Sequence, residues 1–136
     1  MAHEGFIYVA PLGGGTWLPL PYPQYESGLQ EISTIVDSAR VASGELRGKK
    51  VGRDQHKVNL TWGKLSPEEW SEILTFFNEN FEFQCKYMDM QTNDWRTRVF
   101  YVGDRSAQPF MVDPETGRPK WYLSCKANVI DTGKGD

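Results

Sequence analysis

Only one stretch of this chain repeats its apolar residues with a helical period. Trp70, Ile73, Leu74 and Phe77 recur at i, i+3, i+4 and i+7, which places them on one helix face. The stretch is also marked at its start. Leu65 precedes Ser66 as a staple residue, Pro67 takes the first helical position, and Glu69 stands three residues after Ser66 as the second half of a capping box. The spacing predicts one helix near 67–79, with Asn78 and Asn80 at its C-terminal end. Everything else that is periodic alternates with period two, so the rest of any regular structure must be strand.

Those alternating segments can be read in order. Phe6–Val9 is a short strand candidate, and Ile32–Val36 is dense in β-branched residues. Val58, Leu60 and Trp62 alternate with Lys57, Asn59 and Thr61 as a half-buried strand should. Val41–Gly52 between them is expected to supply the partner strand of a long hairpin, with Gly44, Gly48 and Gly52 as bends or bulges. After the helix, Phe81, Phe83, Cys85 and Tyr87 share one parity. Trp95–Val102 follows a turn at Gln91–Asp94, which predicts a second antiparallel hairpin. The proline- and glycine-punctuated run Asp104–Pro119 reads as a loop, Trp121–Ile130 as a last strand, and Asp131–Asp136 as a fraying tail. One helix cannot cover both faces of so many strands. The expected fold is therefore mainly β: a β-sandwich or curled β-barrel with one flanking α-helix.

Residues 1–28 differ from the rest. Gly5, Gly13, Gly14, Gly15 and Gly28 alternate with Pro11, Pro19, Pro21 and Pro23, and Trp17, Tyr22 and Tyr25 offer apolar surface. The expected organisation is an extended N-terminal arm over 1–28, a β domain over 29–131 with its helix near 67–79, and a flexible tail over 132–136. A chain of 136 residues is one domain's worth, and 39% hydrophobic with 13% aromatic residues is enough for a packed core. The opening MAHEGFIYVAPLGGG has no cationic lead and too short an apolar run for a secretory signal, and no stretch reaches the ~18 apolar residues of a membrane span.

Chemistry is sparse. Cys85 and Cys125 are far apart and flanked by alternating apolar residues, which predicts inert buried thiols rather than a disulfide framework or a zinc ribbon. His56 lies in a charged segment and is expected to be solvated, as are Asp89 and Asp94 at the hairpin turn. Gly13-Gly14-Gly15-Thr16 lacks the Gly-Lys-Ser/Thr ending of a phosphate loop. No catalytic set, metal or cofactor is expected.

Charge is the uneven property. Net charge is −3, which excludes bulk nucleic-acid binding. Yet Arg40–Lys57 holds six basic residues against Glu45 and Asp54, a local +4, while Leu65–Asp94 holds seven acids against Lys86, a local −6. Arg47, Lys49, Lys50 and Arg53 on the first segment and Glu68, Glu69, Glu72 and Glu79 on the helix are candidate partners between neighbouring copies. Unlike patches meeting head to tail close into a ring if the rotation permits. Trp17, Tyr22 and Tyr25 join that candidate interface from the arm.

A family pattern is carried by Gly44-Glu45-Leu46-Arg47-Gly48, then Val58-Asn59-Leu60-Thr61-Trp62-Gly63-Lys64-Leu65-Ser66-Pro67-Glu68-Glu69, then Lys86-Tyr87-Met88-Asp89 and Phe100-Tyr101-Val102-Gly103-Asp104-Arg105-Ser106, and finally Trp121–Ile130. Over roughly residues 30–131 the chain resembles small structural proteins of the tail modules of tailed bacteriophages and prophages. The strand–strand–helix–strand–strand plan resembles the tail-tube fold, shared by tube, distal-tail and hub proteins. The resemblance implies a non-enzymatic virion component, made in the host bacterial cytoplasm. It implies a ring, hexameric by expectation, at or near the distal end or baseplate, contacting other tail proteins of the tube, hub or tip. DNA would pass the lumen without specific recognition, and no membrane would be involved. It also implies that Arg40–Lys57 holds a reaching hairpin and residues 1–28 an arm. The alternative is a carbohydrate-binding β-sandwich for host recognition, with Trp17, Trp95, Trp121, Tyr22 and Tyr25 as stacking platforms.

Overall fold

A computed structural model of the chain describes residues 5–23, 28–34, 36–40, 46–50 and 52–134. The fold is mainly β with one flanking helix, as expected. Seven strands form one antiparallel sheet: β1 (Ile7–Pro11), β2 (Leu18–Leu20), β3 (Leu29–Ser33), β6 (Gln55–Leu65), β7 (Glu82–Asp89), β8 (Asp94–Val112) and β9 (Pro119–Asp131). Their spatial order is β2-β1-β7-β8-β9-β6-β3. Strands β4 (Val36–Arg40) and β5 (Leu46–Lys50) pair with each other as a separate two-stranded ribbon. The hairpin strand expected within Val41–Gly52 is β5, which pairs with β4; residues 41–45 and 51 lie outside the described residues.

Helix α1 spans Pro67–Glu79, with Ser66 as N-cap. The Ser66 hydroxyl accepts the Glu69 N–H at 3.2 Å and the Glu69 carboxylate accepts the Ser66 N–H at 3.2 Å, so both halves of the capping box are made. Trp70, Ile73 and Phe77 are buried against the sheet. Trp70 meets Trp62 edge-on at 6.1 Å, and Phe77 lies 5.3 Å from Phe83.

The sheet curls on itself, so one sheet supplies both walls of the core. Strands β2 and β6 are five places apart, about 24 Å in a flat sheet. Yet the Trp62 indole N–H donates to the Pro21 carbonyl, just past β2, at 2.8 Å. Likewise Tyr87 on β7 and His56 on β6, three strands apart, bring their rings to 5.5 Å. Inside lie Ile7, Val9, Leu20, Val58, Leu60, Trp62, Phe83, Cys85, Tyr87, Phe100, Val102, Cys125, Ala127 and Val129. These follow strand parity closely, except that Phe81 falls outside β7 and is exposed.

Two expectations are corrected. The described part of 1–28 does not stand apart as an arm. β1 pairs with β7 through Tyr8↔Lys86 to Pro11↔Phe83, and Ile7, Val9 and Leu20 belong to the core. Pro19 sits in β2, an edge strand, where its missing N–H costs no ladder bond. The run Asp104–Pro119 is mostly not a loop: β8 continues to Val112 and pairs with β9 across it, leaving a turn after Val112. Register shifts between Val102/Arg105 and Ser106/Gln108 mark bulges in that long ladder. Gly103 sits at the first of them, where a Cβ would fall 2.3 Å from the Asn128 side-chain oxygen. A side chain there would push the Asn128 amide aside.

Candidate functional site

Strand parity carries charge into the interior at one end of the curled sheet. Asp89 follows Phe83, Cys85 and Tyr87 on the inward side of β7, and Asp131 follows Cys125, Ala127 and Val129 on β9. His56 precedes Val58, Leu60 and Trp62 on β6. Arg96 and Arg98 precede Phe100 and Val102 on β8 with the same parity. The apolar interior therefore ends in a layer of ionic side chains, and Arg53 closes it from the segment that links the β4–β5 ribbon to β6.

Asp131 is the centre of this layer. Its carboxylate is fully buried and takes both guanidinium nitrogens of Arg53, one at 2.7 Å to Oδ1 and the other to Oδ2. It also accepts the backbone N–H of Gly133 at 2.9 Å and of His56 at 3.3 Å, and Arg98 stands 3.7 Å away. Arg53 donates onward to the carbonyls of Lys134 at 2.6 Å and Asp54 at 3.0 Å. Asp89 accepts the Gln91 N–H at 2.9 Å. Arg96 Nε lies 3.1 Å from Asp89 Oδ2 as an ion pair, off the angle of a hydrogen bond. A pocket of about 230 Å³ opens over this layer between Arg53, His56, Asp89, Thr92, Arg96 and Arg98.

These contacts overturn three readings. His56 is buried rather than solvated, with Nδ1 3.9 Å from Asp89 Oδ1, too long for a hydrogen bond. Asp89 is buried rather than solvated at a turn, and Asp131 is a core residue rather than the start of a frayed tail. The free thiols Cys85 and Cys125 are buried as expected.

Titration follows from the geometry. Burial works to raise the Asp131 carboxyl, but Arg53 and the N–H groups of Gly133 and His56 outweigh it and hold it below the usual carboxylate range. Burial lowers the His56 imidazole below its ordinary value, against the pull of Asp89 and with help from the positive charge of Arg98. Burial pushes the Cys85 thiol up, and Tyr87 up to about 12. For His56 the unfolded chain binds the extra proton first as pH falls. Its contribution is full above the unfolded value of about 6.5 and is lost below it. The Asp131 contribution is full above the unfolded carboxylate value of about 3.9 and is lost as pH falls through the lower folded value. Urea midpoints measured against pH should thus fall in two steps on acidification. His56→Gln should flatten the upper step and leave the lower one.

The residues expected at a subunit interface are only partly among the described ones. Glu68, Glu69, Glu72 and Glu79 are exposed on α1, and Glu69 is committed to the capping box. Arg47, Lys49 and Lys50 occupy β5, whose side chains lie outside the described residues, as does Tyr25. Arg53 is not a surface cation but the clamp on Asp131. Trp17 and Tyr22 are exposed, at 38% and 59%, and Tyr22 lies edge-on to Phe6 at 6.1 Å. Trp95 meets Tyr8 at 6.0 Å, and Lys64 stands over Trp121 at 3.8 Å, so both rings are engaged within the chain.

Among the described residues, no helix is long and apolar enough to cross a membrane. No curated protein and no solved structure matches the chain. One family model does, over residues 1–131, which takes in every strand of the curled sheet and the ionic layer at its end, and the chain therefore belongs to the family of unknown function DUF6711.

Proposed function

We propose that this protein is a non-enzymatic structural subunit of a bacteriophage tail. In this reading it acts by assembly, as a ring at or near the distal end that leaves a lumen for DNA and joins other tail proteins. The observation that supports it is the β4–β5 ribbon. Each strand is five residues long, and among the described residues neither pairs with the main sheet. A lone two-stranded ribbon is marginal in water, and both of its outer edges are open to a further strand. A neighbouring copy supplies what the ribbon lacks. The basic sequence of β5 and the exposed acids of α1 give that contact its polarity.

The test is a size measurement by analytical ultracentrifugation and electron microscopy. The wild-type chain should form rings of six or so copies, weakened as salt screens the charges. Reversing Arg47, Lys49 and Lys50 to Glu should leave a folded monomer. Reversing Glu68, Glu72 and Glu79 to Lys in that background should restore rings at least partly. Arg53 and Glu69 are left alone, because one clamps Asp131 and the other caps the helix. Rings that form normally from the triple Glu variant at low salt would overturn this contact. The exposure of Trp17 and Tyr22 favours one other reading, a glycan-binding module. A monomer that binds oligosaccharide and loses binding with Trp17→Ala would replace the ring.

A further inference from the structure

The β4–β5 ribbon stands on an uneven root. The ladder of β3 and β6 ends at Ser33↔Gln55, and that of β4 and β5 begins at Val36↔Lys50. Two residues, 34 and 35, join the strands on one side, and four, 51–54, join them on the other. Unequal counts interrupt a ladder and bend it, as at a bulge. Gly52 takes part of the turn at φ +70°, in the left-handed region that suits glycine. Among the described residues, the ribbon therefore does not take its direction from the backbone pairing of the main sheet.

Side chains hold the root instead. The Thr34 hydroxyl donates to Asp54 Oδ1 at 2.6 Å, across the two connecting segments. Arg53, next to Asp54, reaches further. Its guanidinium pairs with both Asp131 oxygens and donates to the Lys134 carbonyl at 2.6 Å. The turn that it grips is itself fixed to the sheet. The Thr132 N–H and hydroxyl both donate to the Val99 carbonyl on β8, at 3.0 and 2.9 Å. Lys134 Nζ pairs with Glu82 on β7 at 2.7 Å. The turn also lies close on β6, where a Cβ on Gly133 would fall 2.8 Å from Gln55 Nε2. Contacts thus run from the root of the ribbon through one arginine to β9, β8 and β7.

We infer that Arg53 and the turn Asp131–Lys134 form a latch that sets the direction of the β4–β5 ribbon. The grip suits a guanidinium, whose planar fork spans two carboxylate oxygens and a carbonyl at once; the point charge of a lysine does not. A ribbon of two five-residue strands has little stability of its own. Held in place beforehand, it does not have to be ordered when it meets a partner, and association then costs less. The latch stands on the contacts above. Its consequence for assembly rests on the ring reading.

Nitroxide labels on Gly48→Cys in β5 and Thr75→Cys on α1 measure the ribbon against the body, below the concentration at which the chain assembles. Labels on Thr75→Cys and Thr97→Cys, both in the body, are the control. All three sites are exposed, and the native thiols Cys85 and Cys125 are buried. With no other change, both pairs should give one narrow distance distribution by double electron–electron resonance. Arg53→Lys should widen the ribbon distribution at least about twofold and leave the control narrow. Arg53→Met combined with Asp131→Asn should do the same. It removes the grip without stranding a charge, and so decides the matter if Arg53→Lys widens the control as well. A ribbon distance that stays narrow in a variant with a narrow control would overturn the latch, as would a broad ribbon distance before any change to Arg53. The same variants should raise the concentration needed for assembly by more than about tenfold. Widened distances with assembly at the wild-type concentration would overturn that consequence and support the latch alone. If the wild-type chain stays monomeric at every concentration, the ring reading fails, while widened distances still support the latch.

Discussion

Asp131→Ala should cost about 3–5 kcal/mol in urea unfolding at neutral pH, the range for breaking a buried ion pair from one side. The aspartate is fully buried, and Arg53 is only 15% exposed. Removing the carboxylate therefore strands a guanidinium and leaves the N–H groups of His56 and Gly133 without their acceptor. The gap between wild type and variant should narrow as pH falls below about 3.9, because protonating Asp131 in the wild type removes the same anion. A neutral-pH loss below about 1 kcal/mol would show that Arg53 reaches water and that the clamp carries little.

Trp62→Ala should cost a similar ~3–5 kcal/mol, the range for truncating a buried aromatic. Trp62 touches Trp70 on the helix and donates to Pro21 beyond β2, so one side chain ties helix, β6 and the opposite edge of the sheet. Trp62→Phe separates these roles. It keeps most of the packing and loses the indole N–H, for about 1 kcal/mol if the Pro21 carbonyl finds water. Chemical denaturation of both variants measures the split. Equal losses for Ala and Phe would mean that the hydrogen bond, and not the packing, holds the edges together.

The helix was the most legible element, because its signals are local. Ser66, Pro67 and Glu69 act within one turn, and the structure begins the helix at Pro67 and ends it at Glu79. Strand parity was nearly as readable on β6 and β7. What sequence reading missed was non-local or depended on residue type. The stretch from Asp104 to Val112 is exposed apart from half-buried Ala107, so no alternation betrays it as strand, and only its pairing with β9 makes it one. The first strand is legible near Phe6–Val9, but its place in the main sheet beside β7 is not, because that pairing joins residues more than seventy positions apart.

The ionic layer was missed for a different reason. His56, Asp89 and Asp131 each extend an inward-facing series by one position, and that parity was visible. Their charge argues for solvent, against that parity. Neither consideration could show that three strand ends converge on one place, with Arg53 there to pair them. Arg53 shares its sign with Arg47, Lys49 and Lys50 in the sequence, and sign alone does not reveal that it pairs with a buried aspartate.

The position of β9 sets when this protein can fold. It is the latest strand of the sheet in chain order, yet it lies between β8 and β6. Without it the strands fall into two groups, β2-β1-β7-β8 and β6-β3, with no ladder between them. A ribosome adding about 5–20 residues per second has therefore made all the earlier strands before the one that joins them emerges. Strand β1 waits in turn for β7, more than seventy positions downstream. Such pairings close late and slowly. A chain interrupted before β9 lacks Asp131 and half of the β8–β9 ladder, and so carries a split sheet and an Arg53 without its aspartate. Completion of the sheet thus waits until translation has passed Asp131.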